Sequence, residues 1–540
     1  MKADNPLPNR VTSAVSSLRG CVSIDTRSLA LFRIALGLLI IGDLISRSRN
    51  FWFYYTDDGV VPQELAESYT PDGAFSFFYY TSDPTVIAGL FVLHGLVALQ
   101  LIVGYKTRFA TILSFLFVIS LDHHNPLVLS YADTLFRLLF FWAIFLPLGE
   151  RWSVDAVHRT GSPRQEFVGL ASVFALSQMV VMYTINGFNK MGSDLWQSGE
   201  AAVLVMGLDE MTFLLGDFMR NFELPLQVGG WLWFHMLLAS PLLILLRGRK
   251  RLPLLVFFMG GHASFALTVR IGAFAYVALT GLLLFVPTVF YADLSRVTRW
   301  TGLTTAPLRT LKNRAITSAQ AVPNPRLTHA RVEQARKITY KSTMVVILVA
   351  IAITLALLAP EAGMLFETDI DEDYDPEDNI VESAVGAQIH SVAERLNIDQ
   401  PEWSIFAGPG PRTTDRYYVF PAETADGQQL DIYNDRELTF ERPGQELQKQ
   451  HGSYRERFYM NSIRRAGTVG EAPDHLVADL CERAPEEHGV ELTHINIYEI
   501  TEQVTRETIA DPENRDRESD LRSRHSCGDQ EPKHIGFPEF

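Results

Sequence analysis

Cysteine is scarce in this chain: 3 residues among 540 cannot build a disulfide scaffold, so buried apolar surface has to hold the fold. Cys481 and Cys527 share the acidic C-terminal part. They pair in an oxidising compartment or remain thiols, and the sequence leaves both readings open. The spacings HExxH and CxxC are missing, so no metal site is expected. An excess of cations is missing too: the net charge is -15, which opposes nucleic-acid binding. No cleavable signal peptide is expected, because residues 1–27 are polar and the first apolar run is long enough to remain as a spanning helix. Internal repeats and paired broken helices, marks of many transporters, do not occur, which makes a transporter the weakest functional reading.

What is present divides into two unlike parts. The length exceeds one ordinary core, and the mean hydropathy of +0.07 averages over halves of opposite character. Residues 1–360 are apolar and carry a net charge of +8; residues 361–540 are polar and carry −23. A surface that acidic repels itself, and dissolved salt screens the repulsion. The acidic half therefore predicts a halophilic protein whose stability rises with salt. An ordinary acidic domain predicts no such gain.

Apolar runs of bilayer length lie near 28–46, 84–104, 107–121, 131–148, 167–187, 229–246, 252–269, 271–290 and 343–360. Cations sort to one side of them: Arg10, Arg19 and Arg27 before the first, then Lys106, Arg108, Arg151, Arg159, Arg164 and the 247–251 group. The opposite loops carry Asp57, Asp58, Glu64, Glu67 and Asp72, then Asp209, Glu210, Asp217 and Glu223. This alternation predicts a polytopic α-helical protein of the cell membrane with about eight or nine spans and a cytoplasmic N-terminus. An odd count carries the C-terminal part outside. The segments read as 1–27 cytoplasmic, 28–292 transmembrane domain, 293–342 basic cytoplasmic loop, 343–360 last span, 361–400 acidic linker, 401–508 extracytoplasmic α+β domain and 509–540 disordered acidic tail.

Within the outer domain, Arg416 to Ala422 and Gln429 to Tyr433 flank a turn at Ala425-Asp426-Gly427 and predict a hairpin. Residues 453–465 and 474–484 read as helices, and Thr493 to Ile500 as a strand. The aromatic clusters Phe51 to Tyr55 and Phe75 to Tyr80 read as an interfacial belt, and Glu200 to Leu215 as an amphipathic segment along the outer interface.

Polar residues in an intramembrane bundle are functional candidates by default: Asp43, His94, Asp122, His123, His124, Asp133, Arg137, Asn186, Lys190, His235, His262 and Arg270. His123 and His124 diverge on a helix and are poor co-ligands. His94 and His235 read as satisfied core histidines. Asp133 and Arg137, four apart, are placed to neutralise each other.

The sharpest segment runs from Tyr183 to Ala201 and contains Tyr183, Gly187 and Lys190 followed by Trp196 and Gly199. This Tyr-x3-Gly-x2-Lys run with Trp-x2-Gly resembles the vitamin K-dependent γ-carboxylase and its wider relatives, the horizontally transferred transmembrane (HTTM) domain proteins. His124-Asn125-Pro126-Leu127, the stretch Asp133 to Arg137, Leu146 to Ser153, and Trp403 to Pro411 with Phe420-Pro421 are similar to the bacterial branch of that family. The resemblance implies a membrane enzyme that uses a reduced quinone and acts on a protein or peptide at the outer face. Lys190 would be the base that deprotonates the quinone, with His124 and Asn125 as catalytic partners and Tyr183, Asn186, Gly187 and Trp196 around the cofactor. Oxygenation of the cofactor yields a base able to take a γ-proton from glutamate, and CO2 adds to the carbanion. The placement fits this chemistry, because leaving water disfavours an ammonium and only a neutral amine accepts a proton. The chain departs from the carboxylase in having Pro126 after Asn125, which moves the histidine to His124, and Asn189 where the carboxylase has a first lysine. Two other readings stand beside the enzyme: a non-catalytic scaffold whose outer domain binds a partner, and a Lys190 that snorkels to the interface as an anchor.

Overall fold

The computed structural model describes residues 17–301, 306–323, 330–364, 383–401, 403–405, 410–444, 446–467, 470–538 and 540. The acidic run Asp369 to Asp378 lies outside them. Helix α1 (Thr26–Ser48) starts at Asp25, whose carboxylate accepts the Arg27 backbone N–H. Helix α2 (Pro84–Val103) starts on a proline behind the Asp83 cap. Helix α3 (Thr107–His124) is followed by α4 (Tyr131–Ala143), which opens with a reciprocal cap between Ser130 and Asp133. Then come α5 (Leu170–Met191), α6 (Glu200–Met206), α7 (Glu223–Leu238), α8 (Leu252–Thr268), α9 (Phe274–Leu282), α10 (Thr288–Trp300), α11 (Ala306–Ala321) and α12 (Ala330–Met364).

Every apolar run of the sequence is helical, yet they are not equally suited to crossing a bilayer. Among the described residues five helices are long and apolar enough, within Thr26–Ser48, Pro84–Val103, Leu170–Met191, Gly248–Thr268 and Gln334–Thr354. The run 271–290 breaks into Phe274–Phe285 and Thr288–Trp300 at an angle of 93°, where Pro287 leaves the helical conformation. The run 131–148 stops at Ala143, and 229–246 is interrupted after Leu238. The aromatic cluster Phe51 to Tyr55 is only partly a surface belt: Trp52 is exposed, but Tyr54 and Tyr55 are buried.

The C-terminal part contains α13 (Ala384–Arg395), β1 (Thr414–Val419), β2 (Pro421–Thr424), β3 (Gln429–Asp431), β4 (Arg436–Glu437), α14 (Tyr454–Ala466), α15 (Ala472–Glu487), β5 (Leu492–Gln503) and β6 (Arg517–Ser526). The long β5 is the spine of an antiparallel sheet. One edge pairs with β1 and then β2, while β3 and β4 extend outward from β2. The turn at 425–427 joins β2 to β3 as the sequence predicts, whereas β1 pairs with β5 instead of closing the hairpin. The other edge pairs with β6 from His494↔Ser526 to Glu502↔Arg517. This corrects the expectation of a disordered tail from 509: β6 has few apolar residues of its own, and pairing along a buried central strand supplies its order. A disulfide links Cys481 on α15 to Cys527 just past β6.

One apolar core runs from the bundle into the C-terminal domain, joining Leu36, Tyr54 and Phe140 to Trp403, Tyr418, Tyr459 and Ile463. Truncating one of its buried aromatic rings to alanine costs about 3–5 kcal/mol. The segment 207–212 is fastened to the C-terminal domain by charge. Its acids, expected in water, are buried. Asp415 accepts both the Asp209 and Glu210 backbone N–H groups, at 2.7 and 3.0 Å. Arg515 bridges Asp415 and Asp209 at 2.6 and 3.1 Å. Glu210 is gripped by Arg412 and by Arg457 at 2.7 Å. Burial pushes the Glu210 carboxyl upward, but those two guanidiniums outweigh it and hold it well below the usual carboxylate range. Burial and the neighbouring Asp209 charge push Asp415 the other way, upward.

Candidate functional site

Tyr183, Asn186, Gly187 and Lys190 recur at three- and four-residue spacing, so they share one face of α5, and all are buried. Lys190 lies in the last turn of the helix with 1% of its surface exposed, which rules out a side chain snorkelling into water. Its partners among the described residues are the Ile405 carbonyl, to which Nζ donates at 2.6 Å, and the Trp196 ring, whose centroid is 4.2 Å away. Neither partner carries charge, and among the described residues one oxygen solvates the buried amine. Asn186 Nδ2 donates to the Trp403 and Ile405 carbonyls at 2.6 and 3.2 Å. Deeper on the same face, the Tyr183 hydroxyl meets His262 Nε2 at 2.8 Å.

Two glycines bring the walls together. A Cβ at Gly187 would stand 3.0–3.2 Å from Leu237 and Leu238, so its absence lets α5 approach α7. At Gly199, φ is +82° and a Cβ would fall 2.0 Å from the Gln227 carbonyl oxygen. The turn that presses Trp196 over Lys190 is thus possible only without a side chain.

The described residues of 397–405 pack along α4 and α5. Arg137 Nε donates to the Asn397 carbonyl at 2.6 Å, and the Gln178 and Gln400 amides exchange hydrogen bonds at 2.8 and 3.0 Å. The hydroxyls of Tyr131 and Ser404 lie 2.8 Å apart, and the Tyr131 and Trp403 rings are 5.9 Å apart. Residues 406–409 of this resemblance motif lie outside the described residues.

His124 and Asn125 belong to a second group of contacts, and no contact between them and Lys190 occurs among the described residues. His124 Nε2 lies 3.2 Å from the Tyr55 carbonyl oxygen, and its ring stacks on Phe78 at 4.8 Å. Its Nδ1 is buried with no hydrogen-bond partner among the described residues. Asn125 donates to the Tyr54 carbonyl at 2.9 Å and accepts the Leu127 N–H. His123 reaches the Phe75 carbonyl at 2.9 Å.

Other candidates serve packing or docking. His94 is buried as expected but is not satisfied: it stacks on Phe117, and neither ring nitrogen has a partner among the described residues. His235 is exposed and bonds the Trp231 carbonyl of its own helix, so it is no core histidine. Arg270 donates to the Gln448 and His451 carbonyls of the C-terminal domain. Asp133 and Arg137 do not pair with each other. Asp122 bridges Arg47 and Arg137 at 2.7 and 2.6 Å, while Arg455 bridges Asp43 and Asp133 at 2.6 and 2.7 Å. Three acids and three arginines thereby neutralise one another across α1, α3, α4 and α14. Arg455 was invisible to sequence reasoning because it sits in a polar helix, hundreds of positions along the chain from the acids Asp43 and Asp133 that it joins.

Among the described residues no group of three or more His, Cys, Asp or Glu is placed to hold a metal. Comparison with family models matches residues 22–289 to the HTTM domain. The chain is an HTTM-domain protein. No curated protein and no solved structure matched it. The HTTM domain ends at the start of α10, so Lys190, His124 and Asn125 all lie inside it. The carbonyls over Lys190 and the arginine that completes the ion cluster come from beyond it.

Proposed function

We propose that this HTTM protein is a multi-pass membrane enzyme related to the vitamin K-dependent γ-carboxylase, with Lys190 as its base and a reduced quinone as its cofactor. The reading includes eight or nine spans, a cytoplasmic N-terminus and an outer domain beyond the cell membrane. The charge alternation of the loops supports the orientation, and the Cys481–Cys527 disulfide supports an oxidising compartment.

The observation that carries the enzyme reading is the enclosure of Lys190 between an indole face and a carbonyl, with no carboxylate among its partners in the described residues. The neighbours suit a neutral aromatic diol: Trp196 brings an aromatic face, and Asn186 and Tyr183 bring neutral polar groups that, without the diol, engage the Trp403 and Ile405 carbonyls and His262. A bound reduced quinone supplies, with oxygen, a base strong enough to remove a γ-proton from glutamate. Lys190 takes the hydroxyl proton, Asn186 and Tyr183 orient the ring, and Trp196 with the Trp403–Ile405 segment excludes water. A peptide or protein substrate enters from the outer face. His124, whose Nδ1 is buried without a partner, is a second group able to handle a proton, approached from the Tyr54–Tyr55 side.

One observation favours a scaffold: the bond from Lys190 to Ile405 ties the outer segment to the bundle whether or not chemistry follows. The two readings separate in purified, lipid-reconstituted protein given reduced quinone and labelled bicarbonate. The enzyme consumes quinone, and Lys190→Ala abolishes consumption while keeping the wild-type proteolysis pattern. Absence of turnover in both proteins eliminates the enzyme and leaves the scaffold.

A further inference from the structure

Helix α10 has no buried residue, and its apolar side chains are not scattered. Phe290, Leu294 and Val297, at spacings of four and three, form one stripe, with Trp300 flanking it at the C-terminal end. They are 40, 49, 53 and 88% exposed. Arg296 and Arg299 occupy the other side. Its one acid, Asp293, is already engaged by Arg249 at 2.7 Å and by Arg296 at 2.9 Å. Arg247, Arg249 and Lys250 are exposed nearby along the chain that carries Arg249, which leaves a cationic surplus. The helix is also anchored: Tyr291 lies under Arg27 at 4.2 Å, and its hydroxyl meets Ser28 Oγ at 3.0 Å. It leaves the preceding helix at 93°, so if that helix runs along the bilayer normal, α10 runs in the membrane plane.

We infer that α10 is not half of a span but a surface-lying helix that seats its Phe290-Leu294-Val297 stripe in the acyl boundary and binds anionic lipid headgroups through Arg296, Arg299 and the 247–250 cations. An exposed apolar stripe opposite cations fits the interface between hydrocarbon and water. The uncompensated cations select a negatively charged headgroup over a zwitterionic one.

Full-length protein with Cys21→Ser, keeping the native disulfide, is reconstituted in nanodiscs of mixed phosphatidylglycerol and phosphatidylcholine. A fluorophore is placed at Val297→Cys or at Ser295→Cys. Position 297 is shielded from an aqueous quencher and quenched best by shallow nitroxide lipids, while 295 remains hydrated. Quenching strongest from the bilayer centre makes α10 part of a span and overturns the inference. Equal hydration of both positions overturns it too, as does shielding of 297 without lipid quenching, which would indicate a protein partner. With brominated lipids, the probe at 297 reports roughly five-fold enrichment of phosphatidylglycerol per effective cation. Arg296→Gln with Arg299→Gln reduces that enrichment. An equal response to both brominated lipids in the parent protein sinks the headgroup assignment.

Discussion

Gly199 shows how one missing carbon sets the position of a reactive group. Its turn delivers Trp196 to the face of Lys190, and the Gln227 carbonyl occupies the space a side chain would need. Gly199→Ala should therefore displace α7 or the turn, lower stability by about 1–3 kcal/mol, and loosen Trp196 from the amine. Thermal unfolding in detergent and the indole emission of Trp196 check this; an unchanged midpoint would refute the packing account. The motif spacing made Tyr183, Gly187, Lys190, Trp196 and Gly199 legible as one unit, because helical periodicity sets the first three on one face. The carbonyl partner of Lys190 was not legible. It comes from 215 positions away, and a backbone oxygen leaves no mark in side-chain identity.

The 207–212 segment shows the same limit for an element. Its Asp209-Glu210 pair looks like an interfacial interruption until the arginines that receive it are known: Arg220 is near in the chain, but Arg412, Arg442, Arg457 and Arg515 reside in the C-terminal domain. Glu210, depressed by Arg412 and Arg457, contributes docking stability that is present above the ordinary glutamate value of about 4.3 and is lost as pH falls from there toward its lowered folded value. Asp415, pushed upward, has the opposite sign. Limited proteolysis of the outer domain should accelerate below about pH 4 in the wild type and lose much of that pH dependence in Glu210→Gln. Equal acid sensitivity in both would assign the effect to other carboxylates. The strand β6 escaped prediction because its sequence, Arg517 to Ser526, has almost no apolar alternation; its order depends on a neighbour, which a local pattern cannot show.

Over the whole molecule, the division of charge was the most readable property, and it places −23 on residues 361–540. Part of that negative charge is not free to repel, since Asp415 and Glu502 meet the buried Arg515, and Glu502 also meets Arg442. The exposed remainder still favours salt: raising ionic strength should raise the unfolding midpoint of the outer domain by screening. Midpoints from low to molar salt measure it, and a flat or falling series would end the halophilic expectation. The strand order of the C-terminal domain bears on biosynthesis. Its central strand β5 begins at Leu492 and its partner β6 ends at Ser526, so the sheet cannot close until residue 526 has been made. The bundle is made first, and the Lys190 amine waits uncovered until Ile405 follows it. A chain stopped before Leu492 is expected to keep its membrane helices but to lack the sheet.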